Sequence, residues 1–167
     1  AYINSALENG AAGCFTARER ESYLHDKFYI KVGSPLRALR DLAAYYRTKF
    51  PIPLVGITGS VGKTTTKDMI AAVLSVKYNV LKTEGNMNSR EGMPLTLLRL
   101  DRRHEVAVIE MGMSQAGEID YLSGIAKPDV AVLANVGDAH IENLGSRDGI
   151  FQAKMEITKY FDERNIL

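Results

Sequence analysis

Three uninterrupted apolar runs constrain the fold of this chain more than any other feature. They lie at residues 54–57, 106–109 and 130–133, and each is followed by a loop and then by a segment with apolar residues at helical spacing. A strand with one exposed face alternates apolar and polar residues, whereas a strand covered by helices on both faces does not. The sequence therefore predicts an α/β fold, with a mostly parallel sheet and helices on both of its faces.

Two prolines, Pro51 and Pro53, mark a predicted domain boundary. Residues 1–50 are predicted to be the C-terminal part of one α/β domain, with strands at 13–16 and 28–32 and helices at 2–9 and 35–50. Ser34 and Pro35 supply the N-cap and the first residue of the second helix. Residues 51–167 are predicted to form another domain, in which strands at 54–58, 79–82, 105–111 and 130–136 alternate with helices at 62–76, 92–100, 117–125 and 149–161.

A glycine-rich loop joins the first apolar strand to the helix after it. Residues 56–67 have the sequence GITGSVGKTTTK. In such a loop, backbone N–H groups and a helix N-terminus point towards a bound phosphate. A strict G-x-x-x-x-G-K-[ST] pattern has glycine at position 57, where this chain has Ile57, but the G-x-x-G-K-T core is intact. The loop therefore predicts ATP and Mg²⁺ binding, and the alternative is a helix start that contains these residues by chance. The predicted nucleotide-binding residues are Gly59, Ser60, Val61, Gly62, Lys63, Thr64 and Thr65.

Polar residues at the ends of other strands are further candidates. Glu110 ends one buried strand and His140 follows another, at the sheet edge where ligands of α/β proteins bind. Glu110 is either a Mg²⁺ ligand or base, or a solvated strand end, and His140 is either a metal ligand or proton acceptor, or an ordinary loop residue. Asn86 and Asn88 lie in a polar loop that either binds substrate or forms a turn. Composition alone makes Lys154 a surface lysine.

Charge and composition favour neither a nucleic-acid partner nor membrane insertion. The formal net charge is +1, and no apolar run reaches the roughly 18 residues of a membrane span. Cys14 is the single cysteine, which excludes an internal disulfide and fits a cytoplasmic location. In its apolar surroundings we expect it to be buried. The chain opens without Met in a helix-like segment and ends in a strand-like one, so we expect an excerpt from a longer polypeptide.

Several motifs, taken in order, resemble the Mur ligase family. They are the GITGSVGKTTTK loop, residues 85–88 with 94–98, residues 110–112 with 117–119, residues 135–140, and residues 153–154. Within the family they are most similar to the members that join D-alanyl-D-alanine to UDP-N-acetylmuramoyl-tripeptide. Residues 1–50 resemble the end of the family's N-terminal domain, which holds the uridine nucleotide, and residues 51–167 resemble a truncated central ATP-binding domain.

This resemblance implies an ATP-dependent amide ligase that acts through an acyl phosphate. It implies that Lys63, Glu110, His140 and Lys154 are catalytic. One Mg²⁺ would be held by Thr64 and Glu110, and a second by Glu110, His140 and a carbamylated Lys154. Asn135 would contact the nucleotide, and Asn86 and Asn88 the substrate.

The sequence departs from the family pattern at two positions and in length. Ser89 and Glu91 stand where the family usually has Asn and Ile. The family's C-terminal domain, which brings the amine substrate, and most of its N-terminal domain are missing from this sequence. We therefore expect the chain alone to be inactive as a ligase.

Three other functions are compatible with the same loop. One is another amide ligase of this type, such as the enzyme that adds the third peptide residue or a folylpolyglutamate synthase, although the Glu110-Met111-Gly112 block argues against both. The second is a regulatory module that hydrolyses ATP to change partners. The third is a scaffold that retains the loop without catalysis.

Overall fold

A parallel sheet forms the centre of the computed structural model, which describes residues 2–19 and 22–167. The strands are β1 (Gly13–Thr16), β2 (Phe28–Lys31), β3 (Leu54–Thr58), β4 (Val80–Lys82), β5 (Val106–Glu110) and β6 (Val130–Leu133). Four of them form one sheet in the order β4-β5-β3-β6, and β1 and β2 form a separate pair. All pairings within the described ranges are parallel, and for the central sheet this is what the apolar runs predicted.

The helices follow the predicted alternation, with differences at their ends. They are α1 (Ile3–Glu8), α2 (Pro35–Arg47), α3 (Lys63–Leu74), α4 (Gly92–Leu97), α5 (Glu118–Ala126), α6 (Ile141–Leu144) and α7 (Arg147–Met155), followed by a 3-10 helix (Glu156–Thr158). The prediction of a helix at 149–161 was wrong at both ends. The Ser146 hydroxyl accepts a hydrogen bond from the Gly149 N–H and starts α7 earlier, and the 3-10 turn then stops it. Helix α6 was not predicted, because it is a single short turn.

Both faces of the central sheet are covered, as predicted. In β5, Ala107 and Ile109 belong to the larger core with residues of α2, α4, α5 and α7. Val108 points to the other face and packs with Ile57 and with Ala71 of α3. Alternate residues of one strand thus enter two different apolar layers, which explains its unbroken hydrophobic run.

Helix α2 packs against helices that come later in the chain. The Tyr46 hydroxyl donates a hydrogen bond to the Leu100 carbonyl (2.9 Å), and Arg47 donates to the carbonyl of Ala126 (3.3 Å). Ala43 is fully buried in the larger core. The domain boundary between residues 50 and 51 stays a prediction, and α2 belongs to the core of the second part.

Two further expectations concern the surface. Cys14 is only partly buried, so the expectation of a buried thiol was wrong; β1 has only β2 as its sheet neighbour in the described chain. Among the described helices, none combines the length and the apolar character that crossing a membrane requires.

Candidate functional site

The candidate site lies at the carboxyl edge of the central sheet. Because the strands are parallel, the loops that follow β3, β4, β5 and β6 meet at one edge. These loops and the starts of α3 and α5 surround a cavity of about 440 Å³. Its lining residues are Lys63, Asn88, Ser89, Arg90, Glu91, Gly112, Met113, Ser114, Glu118 and His140.

The phosphate loop has the backbone that its glycines predicted. Gly62 has a φ of +80°, a left-handed conformation that favours glycine, directly before α3 begins at Lys63. At Gly59 a Cβ atom would lie 3.0 Å from the Ala134 Cβ, so this close approach also needs glycine. Lys63 donates a hydrogen bond to the Gly59 carbonyl (2.8 Å). The loop backbone therefore folds around the Lys63 side chain, and the N-terminus of α3 faces the loop.

Asn135 fastens this loop to the end of the neighbouring strand. Its Oδ1 accepts hydrogen bonds from the N–H groups of Ser60 (3.1 Å) and Val61 (3.0 Å), and its Nδ2 donates to the Val61 carbonyl (3.0 Å). Ser60 Oγ also accepts from the Gly137 N–H (2.9 Å). The structure therefore brings Asn135 to the predicted nucleotide loop, where it shapes the backbone.

A three-residue chain of hydrogen bonds joins the start of α3 to the end of β5 and to the loop after β4. Thr64 Oγ1 lies 2.9 Å from Glu110 Oε2, and Asn88 Nδ2 donates to Glu110 Oε1 at 2.7 Å. Glu110 is only 2% exposed, so the alternative prediction, that it is a solvated strand end, was wrong. A buried carboxylate is expected to have such partners. Two of the predicted site residues, Thr64 and Asn88, thus converge on the carboxylate of a third, Glu110.

Two residues that were not predicted from the sequence hold the backbone of Glu110 in place. Thr83 Oγ1 accepts a hydrogen bond from the Glu110 N–H (2.9 Å), and the Thr83 carbonyl accepts one from Lys67 Nζ (2.9 Å). Thr83 is fully buried and Lys67 is 3% exposed. Lys67 lies one helical turn after Lys63, and this spacing was the signal that could have found it.

Lys154 is buried, although composition alone placed it at the surface. It is 1% exposed on α7, and its ammonium donates no hydrogen bond to any residue that the structure describes. Burial, together with the nearby charge of Lys63, lowers the pKa of Lys154 from 10.5 to about 8. The site therefore holds a lysine that is far more often neutral than an exposed one.

The other predicted residues lie around this centre with fewer contacts. His140 lines the cavity and precedes α6 with a φ of +66°. Thr65 lies in the exposed first turn of α3. Asn86 is exposed, and its carbonyl accepts a hydrogen bond from the Asn88 N–H (2.8 Å). Asn88 therefore lines the cavity, while Asn86 shapes the turn that presents it.

Ser89, which departs from the family pattern, has a local structural role. Its Oγ accepts hydrogen bonds from the N–H groups of Glu91 (3.3 Å) and Gly92 (3.2 Å). Serine is a good helix-capping residue, so it satisfies donors at the start of α4. The Ser89 hydroxyl also lies 3.1 Å from a Glu91 carboxylate oxygen.

The candidate site offers oxygen ligands for a metal ion, but they do not form a cluster of acidic, histidine or cysteine side chains in the described chain. No three His, Cys, Asp or Glu side chains are grouped for a metal ion within residues 2–19 and 22–167. The Thr64 hydroxyl and the Glu110 carboxylate nevertheless lie together, and both are oxygen ligands of the kind that Mg²⁺ prefers. Lys154 is a buried amine that has no hydrogen-bond partner among the described residues.

Comparison with known proteins gives consistent results. Residues 57–167 match the Mur ligase middle domain. A Bacillus subtilis protein named UDP-N-acetylmuramoyl-tripeptide–D-alanyl-D-alanine ligase is 45% identical over 166 residues, which are 99% of this chain and 36% of that protein. The chain thus spans about a third of the length of this relative.

Two solved structures are similar along nearly the whole chain. One is the MurF ligase of Thermotoga maritima in complex with ADP, with a TM-score of 0.84, 42% identity, and coverage of 97% of this chain and 37% of that one. The other is the UDP-N-acetylmuramoylalanyl-D-glutamyl-2,6-diaminopimelate–D-alanyl-D-alanyl ligase of Acinetobacter baumannii, with a TM-score of 0.87 and 36% identity. The match covers 98% of this chain and 36% of the A. baumannii chain.

Proposed function

This chain belongs to the Mur ligase family, and we propose that its protein joins D-alanyl-D-alanine to UDP-N-acetylmuramoyl-tripeptide in an ATP-driven step of peptidoglycan precursor synthesis. The observation that carries this proposal is the contact between Thr64, in the first turn after the phosphate loop, and Glu110, at the buried end of β5. This contact joins a nucleotide loop to an acidic group beside a cavity large enough for substrate groups. The B. subtilis and A. baumannii relatives carry names for this reaction.

The phosphate loop would bind ATP. Its backbone N–H groups and the N-terminus of α3 would face the phosphates, and Lys63 would exchange its hydrogen bond with the Gly59 carbonyl for the terminal phosphate oxygens. The T. maritima relative was solved with ADP, which supports this assignment. Asn135 would keep the loop in its binding shape.

The cavity beside Lys63 would hold the carboxylate that is activated. A carboxylate oxygen of the tripeptide would attack the terminal phosphorus of ATP, and ADP would leave. The neutral amine of D-alanyl-D-alanine would then attack the acyl carbon, releasing phosphate and a proton. Phosphorylation supplies the leaving group that a carboxylate lacks, and the cation of Lys63 would stabilise the charge on the transferred group.

The metal assignment follows the oxygen donors. Thr64 and Glu110 would hold one Mg²⁺, and Glu110, His140 and a carbamylated Lys154 would hold a second, so that the ions neutralise phosphate charge during transfer. Asn88 would keep the Glu110 carboxylate oriented through its 2.7 Å hydrogen bond. Asn86 would act on substrate only through the turn that it shares with Asn88.

The environment of Lys154 supports the carbamate. Its neutral amine would add to CO₂ and lose a proton, which gives an N-carboxylate. A pKa of about 8 makes the neutral amine available near neutral pH. The product would place a negative charge near Lys63, where the unmodified side chain places a second positive one.

The remaining proposals concern the whole protein. We propose that residues 1–50 continue a domain for the UDP substrate and that further domains bring the amine substrate. We also propose a cytoplasmic location, because the reaction consumes ATP. No nucleic-acid partner or membrane insertion is part of this proposal.

Phosphate release by the complete gene product tests the function. The ligase should release phosphate from ATP only when UDP-N-acetylmuramoyl-tripeptide and D-alanyl-D-alanine are both present. Release with a single diamino acid and a shorter acceptor would indicate the third-residue ligase instead. Release that is independent of either co-substrate would indicate a regulatory ATPase, and unchanged ATP affinity in Lys63→Ala would indicate a scaffold.

A further inference from the structure

Arg90 lies on the cavity wall, where two neighbouring residues hold its guanidinium without accepting a hydrogen bond from it. The Arg90 Cζ lies 5.3 Å from the centroid of the Tyr121 ring, and its Nε lies 3.8 Å from Glu118 Oε1. The aromatic face and the carboxylate both attract the guanidinium. These contacts restrict a side chain that is 44% exposed and that lines the cavity shared with Lys63.

The nearby carboxylate does not satisfy this guanidinium. Glu118 Oε2 accepts hydrogen bonds from the Ser114 N–H (2.7 Å), the Ser114 hydroxyl (3.2 Å) and the Gln115 N–H (3.1 Å). Burial would raise the pKa of Glu118, but these donors and the charge of Arg90 outweigh it and hold the pKa below its ordinary value. Glu118 is therefore an ionised cap of its own loop, and it approaches Arg90 only at 3.8 Å.

Arg90 consequently has donors to offer to a ligand. Among the described residues, none accepts a hydrogen bond from its guanidinium. A guanidinium presents a planar fork of N–H groups that matches a carboxylate in a bidentate pair. Pre-positioning by Tyr121 and Glu118 reduces the entropy that such a pair would lose.

We propose that Arg90 binds a carboxylate of the peptide substrates, other than the one that is activated. The inference rests on the proposed function, which brings the activated carboxyl to Lys63 in the same cavity. Two sources supply this chemistry. One is the side-chain carboxylate of a 2,6-diaminopimelate residue, which the name of the A. baumannii relative includes, and the other is the C-terminal carboxylate of D-alanyl-D-alanine.

The chain offers a matched control for this arginine. Arg40 Cζ lies 5.2 Å from the centroid of the same Tyr121 ring, but Arg40 is not part of the cavity wall. Arg90→Gln and Arg40→Gln therefore both remove a stacked cation from Tyr121. Only the first removes a cation from the cavity.

The experiment measures kcat and KM of the complete gene product with paired substrates. The tripeptide ends either in 2,6-diaminopimelate or in lysine, which lacks only the side-chain carboxylate, and the dipeptide is offered free or as its C-terminal amide. Arg90→Gln should raise KM about tenfold for one of the carboxylate-bearing substrates, as expected for the loss of a charged pair. It should leave KM within about twofold for the partner that lacks that carboxylate, and the affected pair identifies the source.

Several results would overturn the inference. These are an unchanged KM for all four substrates, an equal rise for all four, and the same selective rise in Arg40→Gln. A wild-type protein that ligates with none of them would instead contradict the proposed function, and this inference with it.

Discussion

The hydroxyl of Thr64 and the carboxylate of Glu110 lie 2.9 Å apart, although one belongs to the first turn of α3 and the other to the end of β5. The parallel pairing of β3 with β5 brings them together, because Ile57 at the end of β3 lies in register with Glu110. The helix that follows β3 then starts beside this carboxylate. Fold topology therefore places a hydroxyl and a carboxylate beside the phosphate loop.

Removing the Thr64 hydroxyl should impair ligation. In the complete gene product, Thr64→Val should lower kcat/KM by about 10- to 100-fold, which corresponds to the loss of a hydrogen bond to a charged group. Thr64→Ser keeps the hydroxyl and should stay within a few-fold of wild type. Steady-state kinetics decides, with Thr66→Val in the same helix turn as the control. Equal activity in Thr64→Val and wild type would contradict the role of this hydroxyl.

Asn135 should control nucleotide affinity through the loop backbone. Asn135→Ala removes its three side-chain hydrogen bonds to Ser60 and Val61 and should raise the Kd for ATP about tenfold. Asn135→Asp keeps the acceptor but adds negative charge near the phosphates, so its Kd should rise further. Titration calorimetry on the complete gene product measures both, and Asn143→Ala on α6 should bind like wild type. An Asp variant that binds ATP better than the Ala variant would contradict this explanation.

Thr83 should contribute to stability through the backbone of Glu110. Thr83→Val keeps the shape of the side chain but leaves the buried Glu110 N–H without its acceptor. The free energy of unfolding should fall by about 1–3 kcal/mol. Thr83→Ser keeps the acceptor and should lose less. Urea denaturation compares the two variants, and a Val variant as stable as the Ser variant would show that the hydrogen bond is unimportant.

Lys154 should make stability depend on pH in a defined window. Below about pH 8 its ammonium is charged in both the folded and the unfolded chain, so the cost of burying the charge is fully present. Between about pH 8 and 10.5 only the unfolded chain keeps the proton, so the stability of the wild type should rise with pH relative to Lys154→Met. Denaturation in CO₂-free buffer at several pH values measures this difference.

Two comparisons sharpen the Lys154 test. Lys159 forms an exposed 2.6 Å pair with Asp120, and this hydrogen bond raises the pKa of Lys159. The stability of the wild type relative to Lys159→Met should therefore not rise with pH in that window. Adding bicarbonate at pH 8 should stabilise the wild type but not Lys154→Met if the carbamate forms. A stability difference that is constant with pH would contradict the burial of a charged lysine.

Local signals were sufficient for the phosphate loop and for the presence of the four strands of the central sheet, although the strand predicted at 130–136 ends at Leu133. Glycine at positions 59 and 62, the apolar strand before them and the helix after them are all readable along the chain, and the parallel sheet follows from its unbroken apolar runs. These features depend on neighbours in sequence, so the sequence predicts them well. The convergence of Asn88 on Glu110 follows from the same topology.

The remaining parts of the site depend on packing between distant segments. The burial of Lys154 results from how α7 packs in the larger core, and composition therefore pointed to the surface. Thr83 supports Glu110 only because β4 lies next to β5. Arg90 gains its position from Tyr121, a residue of α5, and no local pattern indicates that contact.

Transfer of oxygen from the tripeptide carboxylate to the released phosphate tests whether this carboxylate is activated by phosphorylation. The tripeptide, labelled with ¹⁸O in its terminal carboxylate, is ligated by the complete gene product in the presence of ATP and D-alanyl-D-alanine, and the released phosphate is analysed by ³¹P NMR. An acyl phosphate requires that one carboxylate oxygen leaves with the phosphate, so each released phosphate should contain one ¹⁸O. Phosphate that is released during turnover without ¹⁸O would contradict carboxylate activation at this site.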